Sequence, residues 1–392
     1  MSKIADELHA ASRPLFEAIA AIIEGNSTPA PQPQPDPKPE PQPDPKPEPR
    51  KRGVMGLNLG MGPGAEGFLP GTQGQHYMLP VESEIKRAVE QYGVKRFRIG
   101  GLWERCIKPG GKSEVYLGHD PQGKPYTLTQ ALQVGRWCKK YGATILWDLM
   151  HNYGGYSSTG SGAQRKKVGA TGGPSTKLFA KDWAAIIKVL RSDPDCWEAT
   201  YGIDTMNEWV GVSYATVFDA AQQFLDECAP LLDKKMAVFE GADWSSTINW
   251  VKNNPDYHKL KDPRGPGLVE FSGHLYLDQN ASGGYATGDT ISAQEMAAGV
   301  TFENIGVKRA ESFFNWLEKN GVKGSIGETI VPGDFPGLLK GMDNLIREAL
   351  DRGVDVYVFG MGDWFGKTAH HNVEIARNKN MLELVKTHAK AS

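Results

Sequence analysis

The chain has 392 residues, 40% of them hydrophobic, enough to bury a sizeable core. Its 44 basic and 46 acidic residues leave a net charge of -2, without the electrostatic footprint of a nucleic-acid binder, and no apolar run approaches the ~18 residues of a membrane span. Cys106, Cys138, Cys196 and Cys228 lack metal-ligand spacing and are expected to be isolated, packed thiols.

Residues 1–25 read as a short helical segment. Ile4, Leu8, Ala11, Leu15, Ala18 and Ile22 recur in four-three steps, as in a coiled-coil seam. Pro14 kinks the segment and Gly25 is a plausible stop. Too small to fold alone, it is expected to bind itself or a larger assembly. Asp6, Glu7 and Glu17 interrupt the basic start and apolar centre of a secretory leader, so the N-terminus is expected to be retained. Residues 26–52 are a linker. Proline fills every odd position from Pro29 to Pro49, and the octet at 33–40 repeats at 41–48. Locked φ and missing donors predict a polyproline II spacer of roughly 65 Å.

From 53 to 392 the pattern changes. Strand-like runs at 54–59, 94–99, 144–149, 201–206, 236–240, 269–275, 323–327 and 355–359 alternate with helical stretches. The helical stretches include 81–92, 129–141, 181–192, 214–232, 304–320 and 338–352. This alternation predicts a (β/α)8 TIM barrel. A doubly wound sheet is the alternative, but it would need a phosphate-binding turn after the first strand. Gly60-Met-Gly-Pro-Gly64 lacks that spacing, and Pro63 opposes a helix start there.

A barrel of this kind does its chemistry at the C-terminal strand ends. Two apolar runs end there in glutamate, Glu208 and Glu328. Breaking a glycosidic bond requires one carboxyl that protonates the leaving group and a second, ionised, that attacks or activates water. Asn207 and a neighbouring ring suit Glu208 to the first role; Arg98 and Tyr276 could keep Glu328 charged for the second. The other strand ends carry Asn58, His151, Asn152, Trp244, His274, Asp278 and Trp364. Sugars present C–H faces, so Tyr153, Tyr156, Trp209, Trp244, Phe359 and Trp364 are candidate stacking platforms. The glycine- and serine-rich stretch 157–177 follows His151 and is expected either to be a solvated loop or to rim the groove. Glu104 and Arg105 read as a structural ion pair, Asn58 as a turn stabiliser, and Trp103, Trp183, Trp197 and Trp316 as core. His370-His371 alone is too little for a metal site, and no cofactor is called for.

These motifs resemble glycoside hydrolase family 5, the endoglucanase-rich family of retaining (β/α)8 enzymes. The resemblance runs in order through Gly53-Val-Met-Gly-Leu-Asn-Leu-Gly60, Phe97-Arg-Ile-Gly-Gly-Leu-Trp-Glu-Arg105, His151-Asn-Tyr-Gly-Gly-Tyr156 and Met206-Asn-Glu208. It continues through Gly241-Ala-Asp-Trp-Ser245, His274-Leu-Tyr-Leu-Asp278 and Ile326-Gly-Glu328. It implies Glu208 as acid/base and Glu328 as nucleophile, with Arg98, His151, Asn207, His274 and Tyr276 around the scissile sugar. Three departures stand out: Asp148-Leu-Met-His151 is one residue longer than the family's Asp-x-His and suggests a bulge, Trp209 replaces a common proline, and Phe359 a usual tryptophan. The expected activity is retaining endo-β-1,4-glucan hydrolysis of a polysaccharide substrate. A β-mannanase or other β-glycanase, and a barrel that binds polysaccharide without cutting it, remain open. The layout without an export signal also suggests extracellular action from a larger particle, for instance a phage virion that degrades exopolysaccharide.

Overall fold

Eight short apolar runs pair in parallel and close on themselves in the order β1-β8-β7-β6-β5-β4-β3-β2. They are β1 (Met55–Leu59), β2 (Arg96–Gly100), β3 (Thr144–Asp148), β4 (Thr200–Asp204), β5 (Met236–Glu240), β6 (Val269–His274), β7 (Lys323–Thr329) and β8 (Asp355–Met361). The expected (β/α)8 barrel is the fold. This computed structural model describes residues 51–157, 164–366 and 369–391. The barrel unit is Arg50–Ser392. The helical segment 1–25 and the linker through residue 50 lie outside the described residues.

The helices that follow the strands are α1 (Glu82–Tyr92), α2 (Thr127–Lys140), α3 (Thr176–Arg191), α4 (Tyr214–Leu232), α5 (Trp250–Asn253), α6 (Ile305–Asn320), α7 (Pro336–Asp351) and α8 (Lys379–Lys390). Their ends follow local chemistry. Ser175 and Ser213 cap α3 and α4 by accepting from the N–H groups of Leu178 and Thr216. Gly93 and Gly321 take the left-handed φ that stops α1 and α6. Helix α5 is only four residues long, so the β5–β6 crossing is largely loop. The pattern missed α8, whose buried residues are only Met381, Val385 and His388.

Strand periodicity sorts the side chains. On β2, Phe97 and Ile99 join the core between barrel and helices, while Arg96 and Arg98 face the barrel interior. Leu146, Met236, Val238 and Tyr357 form an apolar cluster inside the barrel. Trp103, Trp183 and Trp316 are buried as expected, and Trp197 is partly buried against the core. The four cysteines are free and buried.

Candidate active site

Arg98 organises the C-terminal mouth. Its side chain is 1% exposed, and every N–H donor is used. Nε donates to Asp204 Oδ2 (2.7 Å), Nη1 to Asn58 Oδ1 (3.1 Å) and Glu328 Oε1 (2.7 Å), and Nη2 to Asn207 Oδ1 (2.9 Å) and Glu240 Oε1 (2.8 Å). Asp148 Oδ2 lies 3.0 Å from Nη2. Burial alone would lower the guanidinium pKa, but Asp148, Asp204, Glu240 and Glu328 outweigh it and raise it well above the ordinary value. Burial pushes the Asp148 carboxyl up, and lifts Asp204 to about 7 with help from Glu240.

Glu328 ends this network at the cleft. Tyr276 donates its hydroxyl to Glu328 Oε2 at 2.9 Å. Burial opposes ionisation of Glu328. The charges of His274, Arg98 and His151, with the Tyr276 hydrogen bond, win and pull its pKa down to about 2. The Tyr276 hydroxyl is itself held well above its ordinary pKa by burial and then by Glu328, so it remains a donor.

Glu208 follows β4 in a left-handed conformation, φ 49°. Trp209 anchors the turn below it, 1% exposed and edge-on to Phe179. The Glu208 amide donates to Glu240 Oε2 at 2.6 Å, and the side chain meets His274 Nδ1 through Oε1 at 2.8 Å. His274 Nε2 lies 2.9 Å from Glu240 Oε1. One oxygen each of Glu208 and Glu328, together with a ring nitrogen of His274, lie within 4.8 Å of one another. The trio has the donor types of a metal site. However, both ring nitrogens face carboxylates. Burial, which lowers the ring's pKa, is overcome by Glu240, Glu328 and Glu208, which raise it well above the ordinary value.

The two glutamates open onto a cleft of about 770 Å³, lined also by Tyr153, Trp244, Ile248, His274, Tyr276 and Phe359. A smaller pocket of about 200 Å³ continues past Arg98, between His151 and the Gly60–Glu66 turn. His151 lines both. β3 keeps regular register with β2 to its end, Gly100 opposite Asp148, and shifts register against β4 between Ile145 and Leu146. The ring is aimed by Asp148, whose Oδ2 meets Nδ1 at 2.6 Å. Burial lowers the His151 pKa. Trp244 is 51% exposed at the cleft edge, edge-on to Tyr153. Phe359 faces the cleft with Phe365 and His371 against it. Trp364, 39% exposed, stands beside Gly64 but lines neither pocket.

Five expected sugar contacts line neither pocket: Asn207, which is fully buried, Trp364, and the three that follow. Asn152 accepts from the Trp103 amide and donates to Glu104. Tyr156 is buried against Trp103, its hydroxyl directed to the Lys108 carbonyl. Trp209 is the anchor described above. All three are buried because they fix the loops that carry their neighbours. Glu104 and Arg105 also do not pair with each other. Glu104 receives Asn152, the Ser157 amide and Arg165. Arg105 lies over Tyr77 and donates to the carbonyls of Gly62, Gly64, Ala65 and Pro70. Asn58 orients Arg98 and bonds the Gly327 carbonyl rather than holding a turn. Of the loop 157–177, residues 158–163 lie outside the description. Lys166–Lys167 pairs back on Gly155–Tyr156, and Arg165 reaches Glu66 at the smaller pocket.

Sequence reasoning passed over Asp204 and Glu240. Glu240 had a signal: like Glu328, it closes an apolar run, Met236–Glu240.

The profile of Cellulase (glycosyl hydrolase family 5) matches residues 63–332. Endoglucanase gh5-1 of Neurospora crassa is 26% identical over 316 residues, 79% of this chain and 70% of that protein. Among solved structures, Pseudomonas stutzeri endoglucanase Cel5A gives a TM-score of 0.71 at 26% identity, over 86% of this chain and 94% of that one. Its complex with cellobiose gives 0.69 at 26% identity, over 86% and 92%. The match spans well over half of the sequence, and the chain belongs to glycosyl hydrolase family 5, the cellulase family.

Proposed function

We propose that this glycoside hydrolase is a retaining endo-β-1,4-glucanase, with Glu328 as nucleophile and Glu208 as general acid/base. One observation carries the mechanism: the 4.8 Å limit on the separation of a Glu208 oxygen and a Glu328 oxygen. Retaining enzymes hold their carboxyls roughly 5–5.5 Å apart, whereas inverting enzymes leave ~6.5–9.5 Å for a water. In the first step a Glu328 oxygen bonds to the anomeric carbon while the glycosidic C–O bond breaks, and Glu208 gives its proton to the departing oxygen. Water then attacks the anomeric carbon, Glu208 takes a proton from it, and the ester to Glu328 breaks. Arg98 and Tyr276 hold Glu328 ionised before attack and receive its charge on release. Asn207, fully buried beside Glu208, accepts from Arg98 Nη2 through Oδ1 and so ties the arginine to the acid/base turn.

The polymer is proposed from relatives. Endoglucanase gh5-1 supplies the activity and the cellobiose complex the sugar. An open cleft of about 770 Å³ at the glutamates, with a second pocket beside it that shares His151, Tyr153 and Phe359, suits mid-chain cutting. The test is incubation with glucans, mannans and xylans, with product sizing and NMR of the first anomer released. Oligosaccharides from β-1,4-glucan with β-configured new ends are expected. Net inversion would reject the mechanism, and preference for mannan or xylan the substrate. Glu328→Gln should lower kcat by roughly 10⁴-fold or more.

We also propose extracellular action, with residues 1–25 attaching the enzyme to itself or to a larger assembly; a strictly monomeric full chain that binds no partner would remove that proposal.

A further inference from the structure

Glu240 cannot reach a substrate. It is 0% exposed at the end of β5, and both its oxygens are taken. Oε1 accepts from Arg98 Nη2 at 2.8 Å and meets His274 Nε2 at 2.9 Å; Oε2 accepts from the Glu208 amide at 2.6 Å. Each partner leads to one or both of the glutamates. Arg98 donates to Glu328. His274 Nδ1 bonds Glu208 and lies 3.7 Å from Glu328 Oε2. The amide belongs to the residue whose φ is 49°.

We propose that Glu240 is a positioning residue that holds His274 as an imidazolium between Glu208 and Glu328 and fixes the left-handed backbone of Glu208. The proposal deepens the retaining-hydrolase reading and rests on it. A neutral imidazole has one N–H and one lone pair. His274 presents both nitrogens to carboxylates, so a neutral ring would turn a lone pair toward one of them. When Glu208 is ionised, only the doubly protonated ring satisfies both contacts, and a fully buried carboxylate on Nε2 is what holds that second proton; when Glu208 carries the proton of the general acid, its O–H can instead face a neutral Nδ1. The charged groups facing the ring come from several strands: Glu208 after β4, Glu240 on β5 and Glu328 on β7. Arg98, Asp148 and Asp204 stand behind them on β2, β3 and β4. Glu240 also costs desolvation free energy, and packing alone would be met by an apolar side chain. Its three bonds join Arg98, the ring and the acid/base backbone into one unit.

The test is Glu240→Gln beside Glu240→Asp, read by kcat and KM against pH and by 15N NMR of the histidines. Glu240→Gln keeps the shape and removes the charge. We expect kcat to fall about 10²-fold with KM within about 3-fold. The alkaline limb should move acidward by about one pH unit or more, as His274 begins to lose its proton near the ordinary ~6.5. His274 should titrate between pH 5 and 8 in Glu240→Gln but stay protonated in the native enzyme and in Glu240→Asp. A native His274 that is neutral at pH 7 overturns the proposal without any variant. So does a Glu240→Gln enzyme slowed by the same factor at every pH. Retained activity in Glu208→Gln or Glu328→Gln would instead overturn the underlying assignment of the two glutamates.

Discussion

Two arginines stand two residues apart on β2, both inside the barrel, and they live in different electrostatic worlds. Arg96 faces the N-terminal end. It pairs with Asp355 at 2.8 Å, donates to Thr144 at 2.9 Å and lies 3.7 Å over the ring of Tyr201. The nearby Glu270 bonds the Tyr201 hydroxyl and is pushed up to about 7, by burial and then by Asp355. Positive and negative charge nearly balance there. Arg98 faces the C-terminal end and answers four carboxyl groups, Asp148, Asp204, Glu240 and Glu328. The apolar cluster of Leu146, Met236, Val238 and Tyr357 also lies within the barrel. A barrel needs the balanced kind of layer only for stability. An excess of buried carboxylate is costly, and it is retained where it does chemistry. Arginine and histidine turn that excess into one ionised carboxylate, Glu328, at the cleft.

The sharpest way to break this comparison is to make the same substitution in both layers. Arg98→Lys keeps a charge but loses the fork of donors. It should lower kcat by about 10³-fold and stability by about 3 kcal/mol, because several buried carboxyls lose partners together. Arg96→Lys should cost about 1–2 kcal/mol and leave kcat within about 3-fold. Steady-state kinetics and urea unfolding on the pair decide. If Arg96→Lys loses activity as deeply as Arg98→Lys, the two layers do not differ in kind.

A smaller effect is expected at Tyr276. The folded Glu328 carboxyl lies near 2, below its unfolded value, so its ionised form contributes stability above about pH 4.3 and loses it as pH falls through about 2. Tyr276→Phe removes a donor that favours the ionised form, which raises that value. The acid limb of kcat/KM should move to higher pH, kcat should fall about 10- to 10²-fold, and stability at pH 7 should drop by about 1 kcal/mol. The stability difference should shrink toward zero in strong acid. A Tyr276→Phe enzyme with an unmoved acid limb would show that Arg98 and His274 suffice.

What could be read from sequence follows from the same division. The barrel was legible because strand and helix periods alternate over most of the chain. Glu208 and Glu328 were legible because each closes an apolar run. Glu240 obeys that rule and was passed over because no glycosidase role calls for a third carboxyl. Asn152, Tyr156 and Trp209 were misplaced for the opposite reason. Neighbourhood in a motif says nothing about which way a side chain points, and each turned inward to hold the loop that carries His151, Tyr153 or Glu208. His151 kept its place in the cleft despite a longer spacing because Asp148, ending β3, supplies the aiming bond. The sugar-facing rim depends on left-handed residues at Tyr153, Asp243 and Trp244, which no periodicity announces.

That rim supplies the smallest effect and the finest contrast with the buried network. Asp243, Trp244 and Ser245 take φ of 59°, 61° and 51° in succession, a strained run for residues with a Cβ. It is held by the Ser245 hydroxyl, which accepts from the Gly241 amide and donates to the Ser272 carbonyl, and by Asn253 on Asp243. The strain places the Trp244 ring at the cleft edge, where it can stack on a sugar but cannot touch the bond that breaks. Trp244→Ala and Trp244→Gly should therefore raise KM on long oligosaccharides about 10-fold with kcat nearly unchanged. Their stabilities should part. Alanine keeps the left-handed penalty, whereas glycine relieves it, so Trp244→Gly should be the more stable of the two by about 1 kcal/mol despite its more flexible unfolded chain. Equal KM with unequal Tm would show that the backbone bears strain in order to present a ring. If both variants lose kcat instead, the rim is tied to the glutamates and is not a separate binding surface.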